Sequence, residues 1–185
     1  MTKRLAVLLS MATVAACAEK SVELDASKTE ISFTLHDMLH KVHGSFQLKR
    51  GRLQFDPESG KASGEIVIDV TSGESGSRIR DRRMHKEILE SQKYPEAIFA
   101  LDSVQGKLEP QGPSALDVHG VLKIHGGDHE MTLHFLVDAN SGQYTGSTQF
   151  AIPYVEWGMK NPSILLLKVD TIVEFNVVVT ASAQP

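Results

Sequence analysis

Most of the chain alternates apolar and polar residues with a period of two, the pattern of strands that bury one face. The first clear run is Ile31-Ser32-Phe33-Thr34-Leu35, and similar runs recur as far as Val179. Turn-forming sequences such as Asn140-Ser141-Gly142 separate them. Eight to ten short strands joined by hairpins predict an antiparallel sheet, either a sandwich or an up-and-down barrel. A barrel would also remove the exposed sheet edges.

One stretch lacks this alternation. Arg78–Leu89 places Ile79, Met84 and Ile88 at near-helical spacing, and Pro95 follows it. We therefore expect a short helical insertion near residues 78–89 that caps one end of the sheet.

The N-terminus has a different composition. Met1–Arg4 carries two positive charges, and Leu5–Ala16 is a run of twelve residues with only two weakly polar members. As a helix this run would rise about 18 Å, too little for a hydrocarbon core of about 30 Å. The pattern predicts a secretory signal peptide over residues 1–16, and removing it leaves 169 of the 185 residues, enough for one domain.

The chain's single cysteine, Cys17, follows Val14-Ala15-Ala16 directly. This order resembles the bacterial lipobox, so we expect Cys17 to be acylated and the protein to be an exported, periplasmic lipoprotein, at the outer membrane in a Gram-negative cell. Ordinary cleavage after Ala18 is the alternative. A lone cysteine excludes an internal disulfide. We assign residues 17–21 to an anchor or linker and residues 22–182 to the folded domain.

Charge excludes one class of partner. Without residues 1–16 the chain has 17 basic and 23 acidic residues, which argues against nucleic-acid binding. A local basic cluster lies within the predicted helix, where Arg80 and Arg83 are candidates for contact with an anionic headgroup. The alternative is a solvated helix face in which Arg80 or Asp81 forms a structural ion pair.

Histidines offer the main alternative chemistry. His36, His40 and His43 have a spacing that could bind zinc or copper. The flanking alternation instead puts His36 and His43 on strands joined by a turn, which favours ordinary polar packing. Four further histidines lie on a predicted hairpin and are expected at the surface: His119, His125, His129 and His134. Because no catalytic sequence motif occurs, we predict a protein that is not an enzyme and has no catalytic residue, resident metal or cofactor.

An ordered set of short motifs runs from about Val22 to Ala181. The set comprises Leu24-Asp25, Phe33–His36, Val42–Phe46, Gly51–Asp56, Arg80-Asp81, Lys93-Tyr94-Pro95, Val118–Leu122, His125-Gly126, Met131–Leu133, Tyr154–Gly158 and Val169–Val179. In this order the motifs resemble the YceI family of periplasmic, lipocalin-like lipid-binding proteins. The resemblance implies a single all-β, lipocalin-like antiparallel barrel of about eight strands around an apolar tunnel.

The resemblance also implies a ligand: a polyisoprenoid, an isoprenoid quinone or a fatty amphiphile, held as one slim chain inside the barrel. The side chains expected to line the tunnel are Phe33, Leu35, Phe46, Leu48, Ile66, Ile68, Phe99, Leu122, Phe135, Phe150 and Phe175. The rival interpretation is an envelope protein with a filled core and a structural or interaction role. The partners expected are a hydrophobic small molecule and a membrane, for a monomer or a dimer.

Overall fold

The structure, a computed structural model, describes residues 20–56, 59–164 and 168–184. Nine strands form one antiparallel sheet. They are β1 Lys20–Leu24, β2 Glu30–Asp37, β3 Lys41–Phe55, β4 Ala62–Glu74, β5 Glu96–Gln105, β6 Gly112–Ile124, β7 Gly127–Asn140, β8 Gln143–Ile152 and β9 Val169–Gln184. A helix α1, Arg78–Arg83, and a π-helical turn, Met84–Ile88, connect β4 to β5.

The sheet closes on itself because β3 pairs with both β2 and β4. Strands β1 and β2 form two parts of one interrupted strand, since each pairs antiparallel with β3 and β9. A 3-10 turn, Ala26–Lys28, separates them, and the Asp25 carboxylate caps it by accepting the Ser27 N–H at 2.9 Å. The result is a closed eight-stranded barrel with a helical insertion, which confirms the fold predicted from the sequence.

The barrel has two unlike ends. At the helical end lie the β2–β3 turn, the connection with α1, the β6–β7 turn and the long β8–β9 connection. At the terminal end, β1 begins, β9 finishes and the other three hairpins turn. Side chains of Val22, Leu24, Leu48 and Ala181 pack together there as a buried core. A Cβ on Gly51 would lie 2.8 Å from Leu24 Cγ, so only glycine lets β3 approach β1 this closely.

The first strand starts two residues before the predicted domain of residues 22–182. Strand β1 begins at Lys20, where it pairs with Phe55, so its first two residues fall in the segment 17–21 that we assigned to an anchor or linker. Lys20 and Ser21 are both polar, so the alternation of apolar and polar residues does not predict a strand there. Main-chain pairing with neighbouring strands places them in β1. Residues 1–19, including Cys17 and the predicted signal peptide, lie outside the described residues.

The ladder between β7 and β8 is short, like that between β4 and β5, which also has five pairs. The β7–β8 pairing covers only the five positions from Leu136 with Ser147 to Asn140 with Gln143, next to the terminal end. Towards the helical end, the β8–β9 connection covers this side, and its Trp157 ring stacks on His129 at 3.9 Å between ring centroids. The connection therefore packs on β7 beyond the point where the β7–β8 ladder stops.

Candidate functional site

A cavity of about 180 Å³ occupies the barrel from its middle to the helical end. All eleven residues predicted to line a tunnel are on its wall: Phe33, Leu35, Phe46, Leu48, Ile66, Ile68, Phe99, Leu122, Phe135, Phe150 and Phe175. They point inward because alternate residues of a strand face the same side of the sheet. Contact of these residues with a ligand stays a prediction.

The cavity is long and narrow. Four alternating residues of β9, from Val173 to Val179, lie along it, and six steps of about 3.3 Å give a length of roughly 20 Å. Four phenylalanine rings from β2, β3, β8 and β9 line one side. Their centroids are 5.4 Å apart for Phe33–Phe46, 6.4 Å for Phe46–Phe175 and 5.3 Å for Phe150–Phe175. Such a shape accepts one linear apolar chain better than a compact ring system.

The roof of the cavity comes from the irregular connections. Met84 and Ile88 reach it from the π-helical turn, and Tyr154 and Met159 reach it from the β8–β9 connection. The helical spacing of Met84 and Ile88 is a weak sequence signal for the first pair. No such signal exists for the second pair, because an irregular segment has no period that would mark an inward face.

Three hydroxyl-bearing residues interrupt the apolar wall, and two of the hydroxyls are already bonded. The Thr29 hydroxyl donates to the Asp25 carbonyl at 2.8 Å, and the Tyr154 hydroxyl donates to the Asp170 carbonyl at 2.8 Å. The Thr148 Oγ1 atom is buried without a partner. Burial raises the pKa of Tyr154 to about 12, and the nearby Asp170 carboxylate adds to the rise. The wall is therefore uncharged at neutral pH.

Helix α1 is fixed to the barrel by a polar network around Ser75, which is buried. The Asp81 carboxylate accepts the Ser75 N–H at 2.8 Å and also the Ser75 hydroxyl. The Arg80 guanidinium donates to the Ser75 hydroxyl at 2.7 Å and to the Ser75 carbonyl. Arg80 thus has the structural role that was the alternative from the sequence, while Arg83 lies 3.5 Å from Glu87. A headgroup contact of either arginine stays a prediction.

The histidines of the possible metal cluster have three separate partners. His36 Nε2 lies 3.7 Å from Glu174, and His40 Nδ1 lies 3.7 Å from Asp37. His43 Nδ1 lies 3.1 Å from the hydroxyl of Thr34. Within the described residues no three side chains of His, Cys, Asp or Glu come close enough to hold a metal ion.

Two histidines of the β6–β7 hairpin face outward as expected. His119 lies 2.8 Å from Asp102, and His134 lies 2.6 Å from Asp117. The hydrogen bond between His119 and Asp102 raises the pKa of the imidazole and lowers that of the carboxyl.

The expectation of surface exposure is wrong for the other two. His125 is only 13% exposed and lies 3.0 Å from Glu90, with its ring 4.7 Å from that of Tyr94. His129 is half-buried under Trp157. Both are covered by residues of the connections between strands. The alternation within a strand does not predict such contacts.

Comparison with solved structures gives the same architecture. A polyisoprenoid-binding domain from Saccharophagus degradans matches with a TM-score of 0.72 at 17% identity, over 88% of this chain and 98% of that one. BcnA from Burkholderia cenocepacia matches with a TM-score of 0.70 at 20% identity, over 85% and 98%. The YceI protein of Campylobacter jejuni matches with a TM-score of 0.57 at 13% identity, over 99% and 94%. At these identities the likeness establishes the fold alone.

Sequence comparison gives the family. No curated protein matches this chain, and no helix among residues 20–56, 59–164 and 168–184 is long and apolar enough to cross a membrane. The model of the YceI-like domain matches residues 23–181, which covers every strand except the first three residues of β1 and the last three of β9. The chain therefore belongs to the YceI-like family.

Proposed function

We propose that this protein binds one long hydrophobic chain inside its barrel and acts as a carrier or store for it. The observation that carries this proposal is the cavity of about 180 Å³ with an uncharged, almost wholly apolar wall. A hydrocarbon-lined cavity of about 150 Å³ stays dry and takes up apolar molecules. An envelope protein with a purely structural role needs no such space, since a filled core is more stable.

The ligand class follows from the shape and chemistry of the wall. Each methylene group transferred from water into the cavity contributes about 0.8 kcal/mol, so a linear tail of several carbons gains enough to bind. The polar end of such a molecule stays at the helical end, where the cavity meets the connections. A polyisoprenoid, an isoprenoid quinone and a fatty amphiphile all satisfy these demands, and the Saccharophagus relative is described as polyisoprenoid-binding.

Longer chains demand more space than the cavity offers at rest. Met84 and Met159 form part of the roof, and methionine side chains adapt their shape at low cost. The wall offers no acid, base or nucleophile that is ionised at neutral pH, since its most acidic group is Tyr154 with a pKa of about 12. This supports binding without catalysis.

We also propose a location at the cell envelope, on the evidence of the N-terminal pattern that ends in Cys17. Strand β1 starts at the terminal end of the barrel. An acyl anchor on Cys17 would therefore attach at the end opposite the cavity roof. The mass of the N-terminal peptide tests this: protein from its bacterial host should carry acyl chains on Cys17, and a Cys17→Ser variant should lack them.

The binding test compares two neighbours on β7 that face opposite sides. Phe135 lines the cavity, whereas Leu136 is 68% exposed on the outside. Phe135→Asp should weaken binding of a fluorescent polyene fatty acid and of a polyprenol by more than about tenfold, because a carboxylate would be desolvated against the ligand. Leu136→Asp should bind as the parent does.

A second measurement does not depend on any variant. Protein purified without detergent is extracted with organic solvent, and the extract is analysed by mass spectrometry. We expect a lipid with a long apolar chain. If no lipid is recovered and neither probe binds the folded parent protein, the proposal is wrong.

A further inference from the structure

Large apolar side chains on the surface are concentrated at the helical end. Among the described residues, four of the six that are strongly exposed lie there. We call them the rim patch: Met38 at 68% exposure, Leu39 at 73%, Ile79 at 81% and Ile164 at 58%. The other two, Leu136 and Ile172, lie on the outer faces of β7 and β9. The described hairpins of the terminal end carry none.

The patch residues come from three segments that main-chain contacts bring together. The Met38 N–H donates to the Lys168 carbonyl at 3.2 Å, which joins the β2–β3 turn to the start of β9. The Val169 N–H donates to the Ser163 hydroxyl at 2.8 Å, which places Ile164 beside the same turn. Ser45 of β3 pairs with Glu74 at the end of β4, and α1 follows four residues later, so α1 also begins near this turn.

Helix α1, which carries Ile79, is basic, with four arginines and one aspartate, although the protein as a whole is acidic. Exposed cations without an ion pair among the described residues include Lys41, Arg78, Arg82 and Lys168. Two carboxylates of the same segments are hydrogen-bonded within the protein: Asp37 accepts two N–H groups, and Asp81 accepts the Ser75 N–H. Exposed apolar tips beside free cations match a bilayer surface, in which acyl chains lie beneath anionic headgroups.

We propose that the helical end docks on an anionic phospholipid membrane, with the rim patch inserted among the lipids and the neighbouring cations on the headgroups. The inference rests on the proposed function, because a ligand with a long apolar tail is dissolved in a membrane. Its passage through water would expose every methylene group of that tail, which is unfavourable. Contact of the cavity roof with the bilayer removes that step. Because an acyl anchor on Cys17 would lie at the opposite end of the barrel, it would belong to a different membrane from the one on which the helical end docks.

The orientation can be measured because the chain has a single cysteine. In the full chain with Cys17→Ser, one new cysteine is introduced as Leu39→Cys or, as the matched control, Leu136→Cys, and each is labelled with an environment-sensitive dye. With phosphatidylglycerol vesicles the dye at position 39 should shift to shorter wavelength and gain intensity several-fold. The dye at position 136 should not respond. Equal responses at both positions would overturn the proposal.

The same samples exclude other occupants. A shift at position 39 that grows with protein concentration and needs no vesicles would assign the patch to contact with a second copy. An equal shift with uncharged phosphatidylcholine vesicles would show that the cations do not contribute to docking, and would contradict that part of the proposal. The double variant Arg78→Glu with Lys168→Glu should weaken binding to the anionic vesicles roughly tenfold. Lys61→Glu, at the terminal end, should have little effect.

Failure of docking and failure of ligand binding are separable. Replacement of all four rim residues by serine should abolish vesicle insertion and leave binding of the fluorescent fatty acid in solution unchanged. Phe135→Asp should do the reverse. A rim variant that loses ligand binding in solution while still folded would overturn the assignment of the patch to docking.

Discussion

The two ends of the barrel close in different ways. At the terminal end, apolar side chains such as Val22 and Leu24 fill the interior, and the strands approach closely at Gly51. At the helical end the interior is left partly empty. The β8–β9 connection packs buried apolar side chains such as Met159 on the wall, whereas α1 is held by polar contacts around Ser75 and has no buried residue. Apolar packing stabilises over a large area and is difficult to open, whereas a few polar contacts can break singly.

The difference indicates which end admits the ligand. Opening the terminal end would expose a packed core to water, at a cost of about 25 cal/mol for each Å² of apolar surface. Displacing the α1 connection, which has no buried residue between Arg78 and Ile88, breaks mainly hydrogen bonds that water can replace, for a net loss of about 1 kcal/mol each. We therefore expect ligand exchange and local motion at the helical end, with the terminal end as a rigid base.

The largest predicted effect concerns packing. Leu24→Ala at the terminal end should lower the free energy of unfolding by about 3 kcal/mol, because it leaves a new cavity in a filled core. Leu35→Ala should cost clearly less, about 1 kcal/mol, because Leu35 already borders empty space. Denaturant unfolding of the ligand-free protein measures both. Equal losses would mean that the two ends are equally well packed.

The next effect concerns the attachment of α1. Asp81→Asn removes the charge from an acceptor of two Ser75 hydrogen bonds, and such bonds to charged groups contribute about 1.5–3 kcal/mol. Hydrogen exchange in residues 78–88 should speed up about tenfold or more, with β1 and the end of β9 unchanged.

A matched variant exists at the other end. Asp25→Asn removes the charge from the cap of the 3-10 turn, and its effect should stay within residues 25–29. If Asp81→Asn loosens β1 as much as α1, the two ends unfold together and the comparison is wrong.

The strands were predictable because the terminal end and the barrel wall obey one local rule. Alternation along β2 marks Ile31, Phe33 and Leu35 as facing inward, and a closed barrel then turns every such face towards one axis. The rule needs no knowledge of distant contacts. For this reason the eleven wall residues were predictable from the sequence. The same pattern does not predict whether the barrel interior between them is packed or empty.

The helical end was less predictable because its contacts are long-range. Nothing in the sequence near His129 indicates that Trp157 will cover it, or that Met159 will reach the cavity. The interruption between β1 and β2 was not predictable either. The two segments are separated by a 3-10 turn, yet both pair with β3 and together take the place of one strand in the barrel. A pattern of period two identifies strands, but it does not reveal which connections fold back over an open end.

The third prediction uses Tyr154, part of the roof. Its pKa is raised from 10.0 to about 12 by burial, so the folded protein holds this proton after the unfolded chain has lost it. Stability from this group is complete below pH 10 and falls as the pH rises towards 12. In the parent protein the unfolding midpoint should drop over this interval, and Tyr154→Phe should flatten that part of the curve. An unchanged slope would show that the ring is accessible to water.

The smallest predicted effect concerns an exposed ion pair. It joins the π-helical turn after α1 to the β8–β9 connection. Lys160 Nζ lies 3.0 Å from Glu87, and this contact, with a contribution from Arg83, lowers the pKa of the Glu87 carboxyl below its ordinary value of 4.5. A lowered carboxyl pKa means that the contact stabilises above pH 4.5 and is lost as the pH falls through the folded value.

Glu87→Gln should therefore raise hydrogen exchange in residues 84–88 by no more than about twofold at neutral pH, since exposed pairs contribute little. The difference from the parent protein should vanish in concentrated salt, which screens the pair, and also at pH values low enough to protonate Glu87. Glu109→Gln, which breaks the pair with Lys107 at the terminal end, should leave residues 84–88 unchanged. A large effect of Glu87→Gln that persists in salt would mean that the roof depends on this one contact, and that the helical end is closed far more firmly than its exposed polar bonds indicate.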